Sequence, residues 1–396
     1  MTEDSKKRRS SRDEIVEMAS ELIAIPSPTG ADVTIMQWVT DWCDRHGLSY
    51  EVLTRNPAQP NVIITVGNGN GPVLVMNGHL DTVPVSDADA WVSGPFEPRV
   101  SADGKKLFGR GATDMKASTG IMMLLCKLFR DADLNGTLQA HVVSDEETGG
   151  ANGTVFLMDE IAAGRLTKPD YCLIGEKSDL KVRNAERGLF QMQIVFHGRA
   201  SHTAAARATG INALAKAAKG ILALEGDIDK FHPAVGKPVI SVNMIEAGVA
   251  HNVVPGEAKI HVDRRLIPGE TRESVVAEIR AALDAVAAED PDFKYTLIED
   301  PNGDFIPANI TEEDSPLVQA VQQAVRDEMG VEPEFFVAWA GATDGRFYRQ
   351  VGVDTVGFGP GGENAHGANE AGYIDDLVAE ANVYAATIER LLLGES

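Results

Sequence analysis

Short apolar runs that alternate with helical patterns are the feature of this 396-residue chain that most restricts its fold. Each run is rich in β-branched or large apolar residues and is bounded by Gly, Asp or Asn, as strands buried on both faces are. The runs span residues 61–66, 73–76, 138–143 and 171–174, with helical spacing at 113–129 and 153–163. The alternation predicts an α/β fold with a mainly parallel sheet and helices on both faces. The glycine-rich stretch between the first two runs, residues 67–71, is predicted to be a hairpin turn.

The middle of the chain follows a different pattern. Alternating strands and amphipathic helices occur in the order strand, helix, strand, strand, helix, strand, at 189–198, 211–224, 239–246, 258–265, 272–288 and 295–298. This order is typical of a small α+β sandwich. The α/β pattern returns with a helix at 316–329, a strand at 355–358 and a helix at 375–393. We therefore predict one α/β domain, residues 1–187 and 301–396, interrupted by an α+β domain, residues 188–300.

Composition and charge argue against several kinds of partner. The chain has 36 Lys and Arg against 59 Asp and Glu, a net charge of −23, which argues against nucleic acid and anionic membranes. Its three cysteines, Cys43, Cys126 and Cys172, are odd in number and far apart, a pattern of reduced thiols. The first residues lack the apolar stretch of a secretory signal, so we expect a cytoplasmic protein. The basic run at residues 6–9 is expected to be a solvated, disordered tail.

Residues able to bind metal stand at the ends of predicted strands. His79 directly follows one strand, and Asp81, two residues later, is placed to fix the tautomer of the imidazole. Asp114 lies in the stretch GRGATDMK where a helix is expected to open. Taken alone, Asp114 fits an N-terminal helix cap better than a metal ligand.

Three further segments carry carboxylates or histidine. The run SDEETGG ends a buried strand and places Glu146 beside Glu147, where like charges repel unless a cation lies nearby. Glu176 follows the strand at 171–174, and a glycine-rich loop presents His366. Nitrogen and oxygen donors without thiolate suit two zinc ions, and also cobalt or manganese. A bridging carboxylate can hold two such ions about 3.5–4 Å apart, and a neighbouring carboxylate can take a proton from water.

Together, GHLDTVP, GRGATDMK, SDEETGG, IGE and the late His366 resemble the M20 metallopeptidase family in order and spacing, over nearly the whole chain. That family contains succinyl-diaminopimelate desuccinylase, acetylornithine deacetylase, aminoacylase and glutamate carboxypeptidase. The resemblance implies a zinc-peptidase-like catalytic domain with an inserted lid and dimerisation domain. It also implies a homodimeric metal-dependent amidohydrolase that cleaves an N-acyl amino acid or a related small carboxylate.

The resemblance also implies roles for the site residues. His79 and Glu176 would bind one metal ion, Glu147 and His366 the other, and Asp114 would bridge the two. The family often has a cis peptide bond just after this aspartate.

Catalysis and positioning fall to two other residues in the same comparison. Glu146 would be the general base, and Asp81 would support His79.

Substrate-binding roles follow from three other stretches. His202, in GRASH, matches a histidine that reaches the partner's active site in related dimers and stabilises an oxyanion, but it also fits an exposed loop histidine. Asn252 and Arg265 match residues that hold a substrate carboxylate, which the planar guanidinium of arginine binds well. Arg264, beside it, fits an exposed strand residue paired with surface acids about equally well. Arg346, in GATDGRF, is a second carboxylate candidate.

The choice between a deacylase and a peptidase depends on one position of the sequence. Within the family, the position of Glu176 tends to be Glu in deacylases and Asp in peptidases, which favours a deacylase. Lys177 stands where close deacylases usually carry Pro, and it would either alter the first metal site or contact a substrate acid. The alternatives are a dipeptidase or carboxypeptidase of the same family and, less favoured, a non-catalytic binding protein. The acyl group is not determined by the sequence.

Overall fold

The computed structural model describes residues 8–299, 305–336 and 341–394. The chain forms two compact units. Unit 1 comprises Met1–Asn184, Thr311–Phe336 and Thr343–Ser396, and unit 2 comprises Ala185–Ile310 and Val337–Ala342. The division of roles between a catalytic domain and a dimerisation domain stays a prediction.

The helices and strands follow one another in three stretches. The first part of unit 1 contains α1 (Arg12–Ile23), α2 (Val33–His46), β1 (Ser49–Leu53), β2 (Asn61–Gly67), β3 (Val73–His79), β4 (Arg99–Val100), β5 (Lys106–Phe108), α3 (Lys116–Phe129), β6 (Thr137–Val143), α4 (Thr154–Ala162) and β7 (Tyr171–Ile174). Unit 2 contains β8 (Ala185–Glu186), β9 (Gly188–His197), β10 (Ser201–His202), α5 (Ala213–Leu224), β11 (Val239–Ala247), β12 (Val253–Val254), β13 (Glu257–Leu266), α6 (Arg272–Glu289), β14 (Lys294–Glu299), β15 (Phe305–Ile306) and β16 (Asn309–Ile310). Unit 1 then resumes with α7 (Pro316–Met329), α8 (Gly345–Gln350), β17 (Asp354–Gly357), β18 (Gly362–Glu363), β19 (Ala371–Tyr373) and α9 (Ile374–Ile388).

The main sheet of unit 1 has the strand order β1-β2-β6-β3-β7-β17. The β6/β3, β3/β7 and β7/β17 pairs are parallel, whereas β1/β2 and β2/β6 are antiparallel. The predicted α/β class with a mainly parallel sheet is therefore confirmed. The predicted hairpin at 67–71 is wrong, because β2 and β3 lie on opposite sides of β6 and do not pair with each other.

Alternate residues of the main sheet pack into cores on its two faces. Val62, Ile64 and Met76 pack with α1, α2, α3, α7 and α9, whereas Ile63 and Val75 pack with α4 and α8. Because both faces are covered by helices, the central strands are apolar at every position, as the sequence pattern indicated. Because β6, β3, β7 and β17 are parallel, their carboxyl ends meet at one edge of the sheet.

Unit 2 is built on an antiparallel sheet in the order β11-β13-β9-β14, with β15 also paired to β9. Burial alternates along β13, so Arg264 points inward and is fully buried while Arg265 is on the more exposed face. The buried Arg264 bonds to Glu270 at 2.8 Å and to Glu278 at 3.3 Å. The alternative interpretation of Arg264 as an exposed strand residue is therefore wrong.

The amino-terminal basic run departs from the predicted solvated tail where it is described. Arg8 bonds to Glu389 at 3.0 Å, and Arg9 bonds to Glu328 at 2.7 Å and to Glu389 at 3.1 Å. The side chain of Arg9 is only 12% exposed, so these arginines are docked on unit 1. Residues 6 and 7 of the predicted tail lie outside the described residues.

The three cysteines are buried free thiols. Among the helices that the structure describes, none has the length and apolar character needed to cross a membrane.

Candidate active site

The cluster of predicted metal ligands forms where parallel strands end side by side. His79 is the last residue of β3, and its side chain is 1% exposed. Glu146 begins a short 3-10 turn three residues after β6, and Glu176 follows β7 by two residues. Glu176 Oε1 lies 3.4 Å from His79 Nε2, and Glu146 Oε2 lies 3.9 Å from the same nitrogen.

Asp114 lies between two histidines. Its Oδ1 is 3.1 Å from Nε2 of His79, and its Oδ2 is 2.9 Å from Nε2 of His366. Helix α3 begins at Lys116, with Met115 as its N-terminal boundary residue, so Asp114 is in the preceding turn and does not cap the helix. The peptide bond between Asp114 and Met115 is cis, as the resemblance implied. One carboxylate is therefore shared by two imidazoles.

Glu147 joins the second histidine. Its Oε2 is 3.2 Å from His366 Nε2, and its Oε1 is buried without a hydrogen-bond partner among the described residues. Ligand atoms of His79, Asp114 and Glu147 lie within 4.8 Å of one another, as do those of His79, Glu146 and Glu176. His366 itself is on a loop, with a side chain 53% exposed.

Asp81 fixes the turn that carries both glutamates. Its Oδ1 accepts the backbone N–H of Glu146 at 3.2 Å, and its Oδ2 accepts that of Glu147 at 3.3 Å and the hydroxyl of Thr29 at 2.7 Å. The Nδ1 of His79 is 2.9 Å from the backbone oxygen of Asp81 and 3.4 Å from its carboxylate. The tautomer of His79 is thus set chiefly by a carbonyl acceptor, which leaves Nε2 directed at the cluster.

The crowding of these groups alters their proton affinities. Burial disfavours protonated His79, but hydrogen bonds to Asp114 and neighbouring carboxylates raise its pKa well above its ordinary value. Hydrogen bonds to Asp114 and Glu147 raise the pKa of His366 to about 10. Burial raises the pKa of Glu146 well above its ordinary value; the charge of His79 opposes this and nearby carboxylates reinforce it.

These donors fit a pair of divalent cations. Buried carboxylates need positive partners, and the buried Oε1 of Glu147, which no described residue satisfies, is an acceptor that a cation would satisfy. The ligand types, imidazole nitrogen and carboxylate oxygen without thiolate, suit zinc, cobalt or manganese. His79 and Glu176 would hold one ion, Glu147 and His366 the other, and Asp114 both.

The residues on the GATDGRF stretch differ in their surroundings. Asp344 is fully buried, accepts a hydrogen bond from Thr154 Oγ1 at 2.6 Å, and has its pKa raised to about 6, chiefly by burial. Arg346 is half-buried, with its guanidinium 4.3 Å from the ring centroid of Phe347 and its Nε unpartnered in the described part of the chain. Lys177 bonds to the carboxylate of its near neighbour Asp179.

Two charged residues beside the cluster were not singled out by the sequence. Arg110 and Glu370 are buried and paired, with Nη1 2.6 Å from Oε2. Arg110 lies inside the quoted GRGATDMK motif, and Glu370 follows His366 by four residues. Their closeness in sequence to the predicted ligands Asp114 and His366 was the signal that could have identified them. Charged residues in glycine-rich loops ordinarily face solvent, so the sequence did not predict that the two are buried.

Within unit 2, the structure brings two predicted substrate-binding stretches together. His202 on β10 pairs with Val253 on β12, and Thr203 N–H donates to the backbone oxygen of Asn252 at 3.0 Å. His202 and Asn252 are exposed. Ala204 N–H donates to His202 Nδ1 at 3.2 Å, so the neutral ring carries its proton on Nε2.

Arg265, on β13, bonds to a carboxylate of its own strand. Its Nε donates to Asp263 Oδ1 at 2.8 Å, and its side chain is 36% exposed. The roles of His202, Asn252 and Arg265 toward a substrate stay predictions.

The chain resembles known proteins in sequence and in fold. A profile of peptidase family M20/M25/M40 matches residues 75–390. Succinyl-diaminopimelate desuccinylase of Hydrogenovibrio crunogenus is 31% identical over 392 residues, covering 96% of this chain and 99% of that protein. Aminopeptidase PepT of Bacillus cereus has a similar fold, with a TM-score of 0.76, 19% identity, and coverage of 96% and 99%. YXEP of Bacillus subtilis, described as a dinuclear metal-binding peptidase, has a TM-score of 0.70, 19% identity, and coverage of 96% and 98%.

Proposed function

The chain belongs to peptidase family M20/M25/M40, and from this membership we propose a di-metal amide hydrolase of the deacetylase or desuccinylase type. Its substrate is an N-acyl amino acid or a related small carboxylate. The observation that carries the proposal is the division of the Asp114 carboxylate between His79 and His366. A carboxylate shared in this way is what two adjacent cations require.

Each residue of the cluster has a defined task in this proposal. When bound, the two ions supply Lewis acidity, which lowers the pKa of water and polarises the amide carbonyl. Glu146 takes the proton of the attacking water and returns it to the leaving amine. Asp81 orients Glu146 by accepting its backbone N–H at 3.2 Å.

The metal is proposed to be zinc. The donor set of two imidazoles and three carboxylates supports it, although cobalt and manganese use the same donors. Metal analysis of protein purified without chelator, followed by reactivation of the stripped enzyme with each metal, tests the identity. Zinc is expected in the purified protein, and exclusive reactivation by manganese would contradict it.

The choice between a deacylase and a peptidase rests on Glu176 and on the desuccinylase named above. A panel of N-acetyl and N-succinyl amino acids, including N-succinyl-diaminopimelate, is to be compared with dipeptides in the presence of zinc or cobalt. Faster hydrolysis of N-acyl substrates is expected. Preference for dipeptides would establish the peptidase alternative, and complete inactivity of metal-loaded protein would favour a binding protein.

A homodimer through unit 2 is proposed. Strand β11 lies at the edge of its sheet, and Met244 and Ile245 on it are 57% and 45% exposed. An apolar edge strand of this kind can pair with a second copy. In the dimer, the Nε2–H of His202 would stabilise the tetrahedral oxyanion.

Changing both Met244 and Ile245 to Lys tests the dimer. We expect the double variant to be monomeric in light scattering. It should also lose activity, because His202 of a second copy would no longer reach the active site. Val92→Lys, at an 81% exposed apolar residue of unit 1, is the control and should leave the dimer intact. A monomeric wild-type enzyme with full activity would refute the proposal.

A cytoplasmic location is also proposed, supported by the three free thiols. Fractionation of the native host tests it, and recovery of the protein outside the cytoplasm would contradict it.

A further inference from the structure

Arg110 and Glu370 form a buried ion pair beside Asp114 and His366. The side chains of Arg110 and Glu370 are 2% and 1% exposed, and they are 260 residues apart in the chain. Desolvating two charges is costly, and such a pair is weak support for stability by itself. The other contacts of the pair show what it holds in place.

Glu370 fixes the turn that presents Asp114. Its Oε1 accepts three backbone N–H groups, from Gly111 at 3.1 Å, Thr113 at 3.0 Å and Asp114 at 3.2 Å. The hydroxyl of Thr113 donates to the backbone oxygen of Ala371 at 3.0 Å. The turn that carries Asp114 is therefore hydrogen-bonded to the segment that follows His366.

Arg110 fixes the backbone of His366. Its Nη1 bonds to Glu370, while its Nη2 donates to the backbone oxygen of His366 at 3.1 Å. The guanidinium also lies 5.5 Å from the ring centroid of Trp91, which restrains its orientation.

His366 needs such support more than His79 does. It has a φ of 64°, in the left-handed region that non-glycine residues occupy only when the surrounding structure holds them. His79 is instead fixed within β3, a strand paired on both sides.

We propose that the Arg110–Glu370 pair is a positioning device for the second metal ion, the one that Asp114, Glu147 and His366 would hold. By joining the backbones of Asp114 and His366, it sets the separation of these two ligands. The ion at His79 and Glu176 depends on it much less. This inference rests on the proposed function, because it presupposes that the cluster binds two ions.

Glu370→Gln is the sharpest test, because glutamine keeps the shape but replaces one acceptor oxygen with an N–H₂ donor. Either Arg110 or the three backbone N–H groups then lose their acceptor. Zinc titration of the stripped full-length chain by calorimetry should show two sites in the wild type. In the variant, the affinity of one site should fall roughly 10- to 100-fold, and that of the other, which shares only Asp114 with it, should fall clearly less.

A double-mutant cycle with His366→Ala identifies the affected site. Both single variants should weaken the same zinc site, and combining them should add little, because both act on the site that His366 completes. Arg110→Lys, which keeps the charge but not the forked geometry, should weaken the same site. Circular dichroism and the thermal midpoint verify that each variant is folded.

Glu270→Gln is the matched control. Glu270 is a 6% exposed carboxylate in unit 2 that accepts from Arg264 at 2.8 Å and from the backbone N–H of Ile267 at 3.0 Å. This variant should retain two zinc sites of wild-type affinity.

Two results distinguish a failure of the proposed function from a failure of the positioning role. A wild-type chain that binds no zinc would overturn the proposed function and this inference with it. Two normal sites in Glu370→Gln, or equal weakening of both, would overturn the positioning role alone.

Discussion

Asp114 and His366 are 252 residues apart in the chain, yet the Oδ2 atom of one lies 2.9 Å from the Nε2 atom of the other. The remaining oxygen of Asp114 faces His79 at 3.1 Å. The two oxygens of this carboxylate therefore face different histidines of the cluster.

Asp114→Asn should disable the site, because an amide offers one acceptor oxygen where the carboxylate offers two. We expect kcat/KM to fall more than about 100-fold, since even indirect partners of a ligand are worth 10- to 100-fold. Bound metal, measured by mass spectrometry, should fall below two ions per chain. Glu363→Gln, at a 42% exposed carboxylate paired with Lys106, is the control. Two retained ions in Asp114→Asn would contradict the bridging role.

Glu146→Ala should abolish turnover and leave metal content intact. Loss of a general base lowers kcat by roughly 10²- to 10⁴-fold. The Oε2 of Glu146 is 3.9 Å from His79 Nε2, farther than the Oε1 of Glu176 at 3.4 Å. Kinetics together with metal analysis check the prediction, and loss of metal would instead make Glu146 a ligand.

Arg346→Ala should weaken recognition of a substrate carboxylate. A hydrogen bond to a charged group is worth about 1.5–3 kcal/mol, so kcat/KM should fall about 10- to 100-fold. The loss should be small for a substrate whose carboxylate is replaced by an amide. Lys181→Ala is the control, since Lys181 is 42% exposed and pairs with Glu334 at 2.6 Å, and it should change kcat/KM less than about threefold. Equal effects of the two variants would exclude a specific role for Arg346.

His141 should make stability fall in acid. Burial lowers the pKa of its imidazole to about 3, and the ring is held by Tyr348 at 2.7 Å and Gln139 at 3.2 Å. The unfolded chain takes up this proton near pH 6.5 and the native chain does not. Between about pH 6.5 and about pH 3, this group therefore removes about 1.4 kcal/mol of unfolding free energy per pH unit of acidification.

The variant His141→Gln isolates this contribution, because glutamine keeps polar contacts without titrating. Urea unfolding of both proteins at equal metal loading should show a shallower loss of stability in the variant between about pH 6 and about pH 5. Parallel pH dependence in the two proteins would show that His141 is not the titrating group.

Much of the fold follows from local pattern. The strand at 171–174 and the helix at 316–329 have the predicted bounds, because apolar runs and caps are encoded by neighbouring residues. The pairing of strands was less predictable. The turn after β2 has the composition of a hairpin, but β6, some 70 residues further along the chain, occupies the place between β2 and β3.

The sequence by itself determined the α/β class and the residue types at the strand ends, because parallel strands finish at one edge of a sheet. Tertiary structure alone decided which charged side chains are buried among them. The alternation along β13 places Arg264 on the inward face, but no local pattern identifies Glu270 as its partner or marks Glu370 as the acceptor of three backbone N–H groups. These roles depend on partners that are distant in sequence and meet only when the chain folds, so a local pattern cannot encode them.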